Sequence, residues 1–265
     1  MASTRHFPGA VRSPSPVAAT ARRDRVLIVS CIVLITALAW AYLIHLNRQN
    51  TMMANMGMVM NEPWGARDVF FTFVMWAVMM AGMMTASATP VLLLFAGAHT
   101  RRDERGVMLP VLLFALGYIA VWLGFSAFAA LAQWALHQAA LLSSMMATSS
   151  MRLGGAILIA AGVYQLTPLK GRCLTQCQSP LGFLMSNWRG GGSGALRMGL
   201  RHGAFCLGCC WALMGVLFVV GVMNLAWVAV LTVFILVEKI GPTGARVARG
   251  GAAILIAFGV ILVSR

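Results

Sequence analysis

The chain has 265 residues, 60% of them hydrophobic and only 10% charged, with a formal net charge of +14. So few charges exclude an ordinary soluble domain of this length, and several apolar runs approach or exceed the roughly 20 residues that cross a bilayer as helix. The basic residues lie between those runs, so they read as topology signals and not as a nucleic-acid footprint.

The predicted fold is all-α, a polytopic transmembrane helix bundle of about seven spans near 26–46, 69–98, 107–136, 152–168, 201–222, 225–240 and 250–264. Residues 1–25, rich in Arg, Ser, Ala and Pro, read as a disordered basic tail, and residues 26–265 as the transmembrane domain. Arg22-Arg23-Asp24-Arg25, an apolar core and Ala37-Leu38-Ala39 have the layout of a signal peptide. The apolar run continues to Leu46, which favours a retained span. Cys31, alone in this span, reads as a small buried hydrophobe.

Next comes Met52-Met53-Ala54-Asn55-Met56-Gly57-Met58-Val59-Met60, five thioethers in nine residues. On an exposed segment such a cluster, Met56 and Met58 included, can collect Cu(I) without losing a proton. It also suits an amphipathic helix on the membrane surface. The second span carries Met75, Met79 and Met83 on one helical face and Met80 and Met84 on the next. These thioethers fill gaps between helices or relay a soft metal. Pro90 predicts a kink, with Thr85, Ser87 and Thr89 near enough to satisfy the freed backbone. His45 and His137 read as helix-end residues on the outer side.

The connection 169–200 is the longest on the predicted cytoplasmic side. It holds Cys173 and Cys177, spaced i,i+4 if helical. Ser179-Pro180 then opens a short interfacial helix over Leu181 to Trp188. Gly190-Gly191-Gly192-Ser193-Gly194 reads as a hinge that returns the chain to the fifth span. At the mouth of that span stands His202-Gly203-Ala204-Phe205-Cys206-Leu207-Gly208-Cys209-Cys210, which puts an imidazole and at least two thiols on one side of a helix. Five of the six cysteines thus fall between 173 and 210. On the reducing side of a membrane, structural disulfides are not expected. Soft-metal ligation is the leading expectation, ahead of a thiol relay through the Cys206–Cys209 CxxC and of inert packing.

Glu238-Lys239 ends the sixth apolar run, with Glu238 expected to pair with Lys239 or Arg201, and Gly241-Pro242 stops the helix. The last span, 250–264, holds only about 14 apolar residues, so a tilted, re-entrant or interfacial segment fits it as well. Counted by alternate segments, sixteen Lys and Arg fall on one side and four on the other. The positive-inside rule then gives a cytoplasmic N-terminus and an outside C-terminus. There is no nucleotide-binding loop, nucleophile elbow or HExxH motif, so the expectation leans away from an enzyme.

Taken together, these residues resemble a bacterial family of uncharacterised, predicted metal-binding integral membrane proteins, over roughly residues 69–262. The resemblance is carried by Met75-Trp76-Ala77-Val78-Met79-Met80-Ala81-Gly82-Met83-Met84 and by Tyr164-Gln165-Leu166-Thr167-Pro168-Leu169-Lys170 leading to Cys173 and Cys177. Asn187-Trp188-Arg189, the run from Met198 to Trp211, and Gly221-Val222-Met223-Asn224-Leu225 through Glu238-Lys239 complete it. In the family pattern a proline often follows the double methionine, where Thr85 stands here. The resemblance implies metal binding and a multi-pass protein of the bacterial inner membrane, but no established reaction.

The combined expectation is a soft-metal protein, copper before zinc, for transport or for delivery to a metalloenzyme. Cys206, Cys209 and Cys210 would supply thiolates, His202 a nitrogen, and Cys173 and Cys177 would close the site. Met80, Met84, Met56 and Met58 would capture or relay Cu(I). Expected partners are the lipid bilayer and a metallochaperone or metalloenzyme subunit, with no nucleic acid. The alternatives are a membrane thiol–disulfide oxidoreductase and a non-catalytic assembly subunit with structural zinc.

Overall fold

A computed structural model describes residues 16–55, 64–101, 106–139, 150–241 and 243–264. These residues form α1 (Pro16–Asn55), α2 (Ala66–Arg101), α3 (Met108–Gln138), α4 (Met151–Gln165), α5 (Pro168–Gln178), α6 (Pro180–Asn187), α7 (Gly191–Val220), α8 (Leu225–Ile240) and α9 (Gly244–Ser264). The all-helical expectation holds, with no strand among the described residues.

The seven expected spans become five helices long and apolar enough to cross a membrane, α1, α2, α3, α7 and α9. A sixth candidate is the α4–α5 pair, bent by 64° between Gln165 and Pro168. The bend has a local cause: Pro168 cannot continue the hydrogen-bond ladder of α4, and Thr167 starts a new helix by accepting the Lys170 N–H on its hydroxyl. The sixth apolar run is α8, whose 16 residues rise about 24 Å, short of a hydrocarbon core of about 30 Å. The last span lengthens instead, because its helix starts at Gly244, six residues earlier than expected. Helix α1 begins at Pro16, inside the segment read as a disordered tail. Residues 1–15 lie outside the described residues.

The expected glycine hinge is absent. Gly191 takes a positive φ of 75° and starts α7 directly, so Gly192 and Gly194 lie in its first turns. Tertiary packing overrides the local glycine signal here. A Cβ on Gly199 would strike the Phe114 carbonyl, and one on Gly117 the Leu196 carbonyl. The α3 and α7 backbones therefore touch, as small residues allow between helices in lipid. Gly155 and Gly259 do the same for α4 and α9.

The methionine stripe of α2 is core. Met75, Met79, Met80, Met83 and Met84 are all buried, beside Trp76, which stacks on Phe218 and donates to Gln133 Oε1 at 2.7 Å. Helix α2 runs unbroken through Pro90, while the Thr85 and Ser87 hydroxyls turn back onto the Ala81 and Met84 carbonyls. Large apolar side chains such as Leu34, Leu38, Leu109, Leu116, Phe128, Ile254 and Phe258 face outward. Cys31 joins them, exposed and not buried as expected, because α1 packs chiefly on α2 and leaves its far side uncovered.

Candidate functional site: a sulfur cluster around a buried lysine

Cys206, Cys209 and Cys210 lie at the middle of α7, because that helix begins ten residues before the expected mouth. All three are buried. Arg201 remains exposed, so Cys206 sits about 7 Å further along the helix axis than the last arginine. The Cys209 and Cys210 thiols donate back to the Cys206 carbonyl at 3.1 and 2.9 Å, a local bond that parks each S–H until something better binds the sulfur.

Helix α5 folds against α7 and brings the upstream pair across. Cys177 Sγ stands 3.9 Å from Cys209 Sγ. Two thiolates on one metal, each about 2.3 Å from it, are separated by much the same distance. Cys173 reaches α7 beside Gly208, where a Cβ would lie only 2.8 Å from its sulfur. Sequence spacing alone left open whether the two cysteine groups meet; Cys177 and Cys209 do.

The remaining contacts fall on residues that sequence reasoning read differently. Lys239, at the buried end of α8, sends its Nζ into the cluster: 2.9 Å from Cys206 Sγ, 3.3 Å from Ser87 Oγ, 3.8 Å from Met84 Sδ and 4.0 Å from Cys210 Sγ. Tyr118 Oη lies 3.1 Å from Cys206 Sγ and donates to the Met84 carbonyl at 3.0 Å. Five helices, α2, α3, α5, α7 and α8, thus contribute side chains to one buried volume.

Glu238 pairs with neither Lys239 nor Arg201. Its carboxylate receives Lys170 Nζ at 2.7 and 2.9 Å, with Gln165 also bonded to both partners. Gln178 donates to the Glu238 carbonyl at 2.8 Å. Lys170 and Glu238 are each only 1% exposed, so Lys170 belongs to the core although its charge reads as a topology signal. The one hint in the sequence was its spacing, i,i+4 from Leu174, which is buried on the same face of α5. Arg201 lies over the Phe205 ring instead.

His202 is buried one turn before Cys206, boxed by the rings of Phe114, Tyr118 and Phe183. Its Nδ1 has no hydrogen-bond partner among the described residues. Met84 reaches the cluster through Lys239, and Met80 is buried in the same core. Met56 and Met58 lie outside the described residues. His137 stacks on Trp64, away from the sulfurs.

Among the described residues, no three His, Cys, Asp or Glu side chains already stand as a finished metal cage. The donor set is nonetheless soft throughout: thiols, a thioether and an imidazole, chemistry that suits Cu(I) better than any hard cation. No curated relative and no solved structure matches the chain. A family model described as copper chaperone, PpoB2, matches residues 73–262, a stretch that contains every residue of the cluster. The chain belongs to the PpoB2 copper chaperone family.

Proposed function

We propose that this protein is a membrane-embedded copper chaperone that holds Cu(I) on the α5–α7 sulfur cluster and passes it to a metalloenzyme subunit. The observation that carries the reading is the 3.9 Å approach of Cys177 and Cys209 beside buried Cys206 and Cys210. Thiolates favour soft cations such as Cu(I) over hard ones. Thiols parked on a backbone carbonyl can exchange that bond for a metal without unfolding the helix. Copper is cargo here, so an incomplete cage has a use: a partner can supply the missing ligand during transfer. His202, with a free buried nitrogen one turn away, is the nearest nitrogen donor of α7. Arg22, Arg23 and Arg25 at the start of the first candidate span support a cytoplasmic N-terminus in a bacterial inner membrane.

The test is elemental analysis of protein purified anaerobically in detergent, beside a Cys206/Cys209/Cys210→Ser triple variant. Near-stoichiometric copper in the wild type, lost in the variant, is expected. Zinc in its place would move the site to a structural role. No metal after reconstitution with Cu(I) would end the reading.

The closeness of Cys177 and Cys209 also favours a second reading, thiol–disulfide exchange, since a modest approach would bring the sulfurs to the bonding distance of about 2.05 Å. It predicts a redox-active pair that cycles with a quinone or protein thiol and needs no metal.

A further inference from the structure

Lys239 is 5% exposed, and no carboxylate among the described residues pairs with it. The nearby acidic group, Glu238, is already taken by Lys170 at 2.7 Å, and that pair is neutral as a unit. A lysine ammonium with no paired carboxylate among the described residues therefore sits within 4.0 Å of two cysteine sulfurs and a thioether. In an interior of low dielectric such a charge acts strongly on whatever binds beside it.

Resting on the copper reading of the same sulfurs, we propose that Lys239 is a specificity-determining residue that biases the cluster toward monovalent soft cations, Cu(I) or Ag(I), over divalent ones. The reason is a charge count. For any given number of thiolates, the complex of a divalent metal is one unit more positive than that of a monovalent metal. A two-thiolate Cu(I) complex carries −1 and is neutralised by the ammonium; the zinc counterpart is already neutral and leaves the ammonium uncompensated. Lysine suits the task because it brings charge without a ligand: it has three donors and no acceptor while protonated. It also reaches the cluster from α8, so none of the metal-binding turns of α7 has to carry the charge.

The experiment compares wild type, Lys239→Met and Lys239→Arg, each purified anaerobically in detergent. Cu(I) affinity is read by competition with a chromogenic Cu(I) chelator and Zn(II) affinity by competition with a zinc indicator. Ag(I) and Cd(II) serve as a second monovalent–divalent pair. The expected result is that Lys239→Met lowers the Cu(I)-to-Zn(II) affinity ratio by roughly a hundredfold, the effect of one unit charge about 5 Å away at an effective dielectric near 20. Lys239→Arg should keep the ratio within about tenfold of wild type, because the charge remains. Should Lys239→Met not fold, Lys239→Gln keeps a polar head and carries the same prediction. An unchanged ratio in the charge-free variants, with wild type binding Cu(I), overturns the proposal and leaves the copper reading standing. A wild type that binds no Cu(I) defeats the copper reading itself, and this proposal with it.

Discussion

Glu238 and Lys239 are adjacent in the chain, both buried, and belong to two different kinds of chemistry. Glu238 closes a hard, fully matched unit with Lys170, Gln165 and Gln178, in which acceptors and donors bond one another across α4, α5 and α8. Lys239 opens onto a soft, unmatched one, where an ammonium faces sulfur and hydroxyl atoms and no carboxylate. A helix turns about 100° per residue, so neighbours point to different partners. The contrast separates a region built to stay closed from one able to exchange partners.

The largest effect should come from breaking the closed region. Lys170→Met leaves Glu238 charged and buried, and should cost about 3–5 kcal/mol, read as a large drop in the midpoint of thermal unfolding in detergent. Copper bound per folded molecule should change little. Replacing both partners, Lys170→Met with Glu238→Met, should recover most of that loss, because no unpaired charge remains. A double variant as unstable as the single one would mean the pair does more than balance charge.

The open region should answer in the opposite way. Cys177→Ser should leave the unfolding midpoint nearly unchanged and weaken Cu(I) binding by about tenfold or more, with Cys173→Ser weaker in effect. Chelator competition measures both, and equal effects would remove the special place given to the Cys177–Cys209 pair. The smallest effect belongs to Tyr118→Phe, which deletes a hydroxyl shared by the Met84 carbonyl and Cys206. Its cost should be about 1 kcal/mol of stability, and a variant as stable as wild type would show that the hydroxyl contributes nothing net.

The soft region was more legible in the sequence than the hard one. Cysteines at i,i+4 and i,i+3 announce a shared helix face whatever the tertiary fold, and the thiols of α7 are where that spacing predicts. The partners of Lys170, Glu238 and Lys239 depend on how α5 folds back after Thr167-Pro168 and on which way the last turn of α8 faces. Neither is encoded in local periodicity. The start of α7 was hidden for another reason: Gly190 to Gly194 has the composition of a loop, yet the helix begins at Gly191 and its next turns pack closely on α3. Lys239 in the last turn of an apolar helix carried a signal of its own, but that position also suits a cation capping the helix dipole. The sequence favours the simpler use.

The length of α8 works as a depth gauge. At 16 residues it stops about one turn short of a bilayer's apolar thickness, and its two charged side chains end inside the protein and not in water. Each must then be answered by a neighbouring helix. Residue count in one short helix thus leaves two charges inside the bundle, one matched by α5 and the other facing the sulfurs of α7.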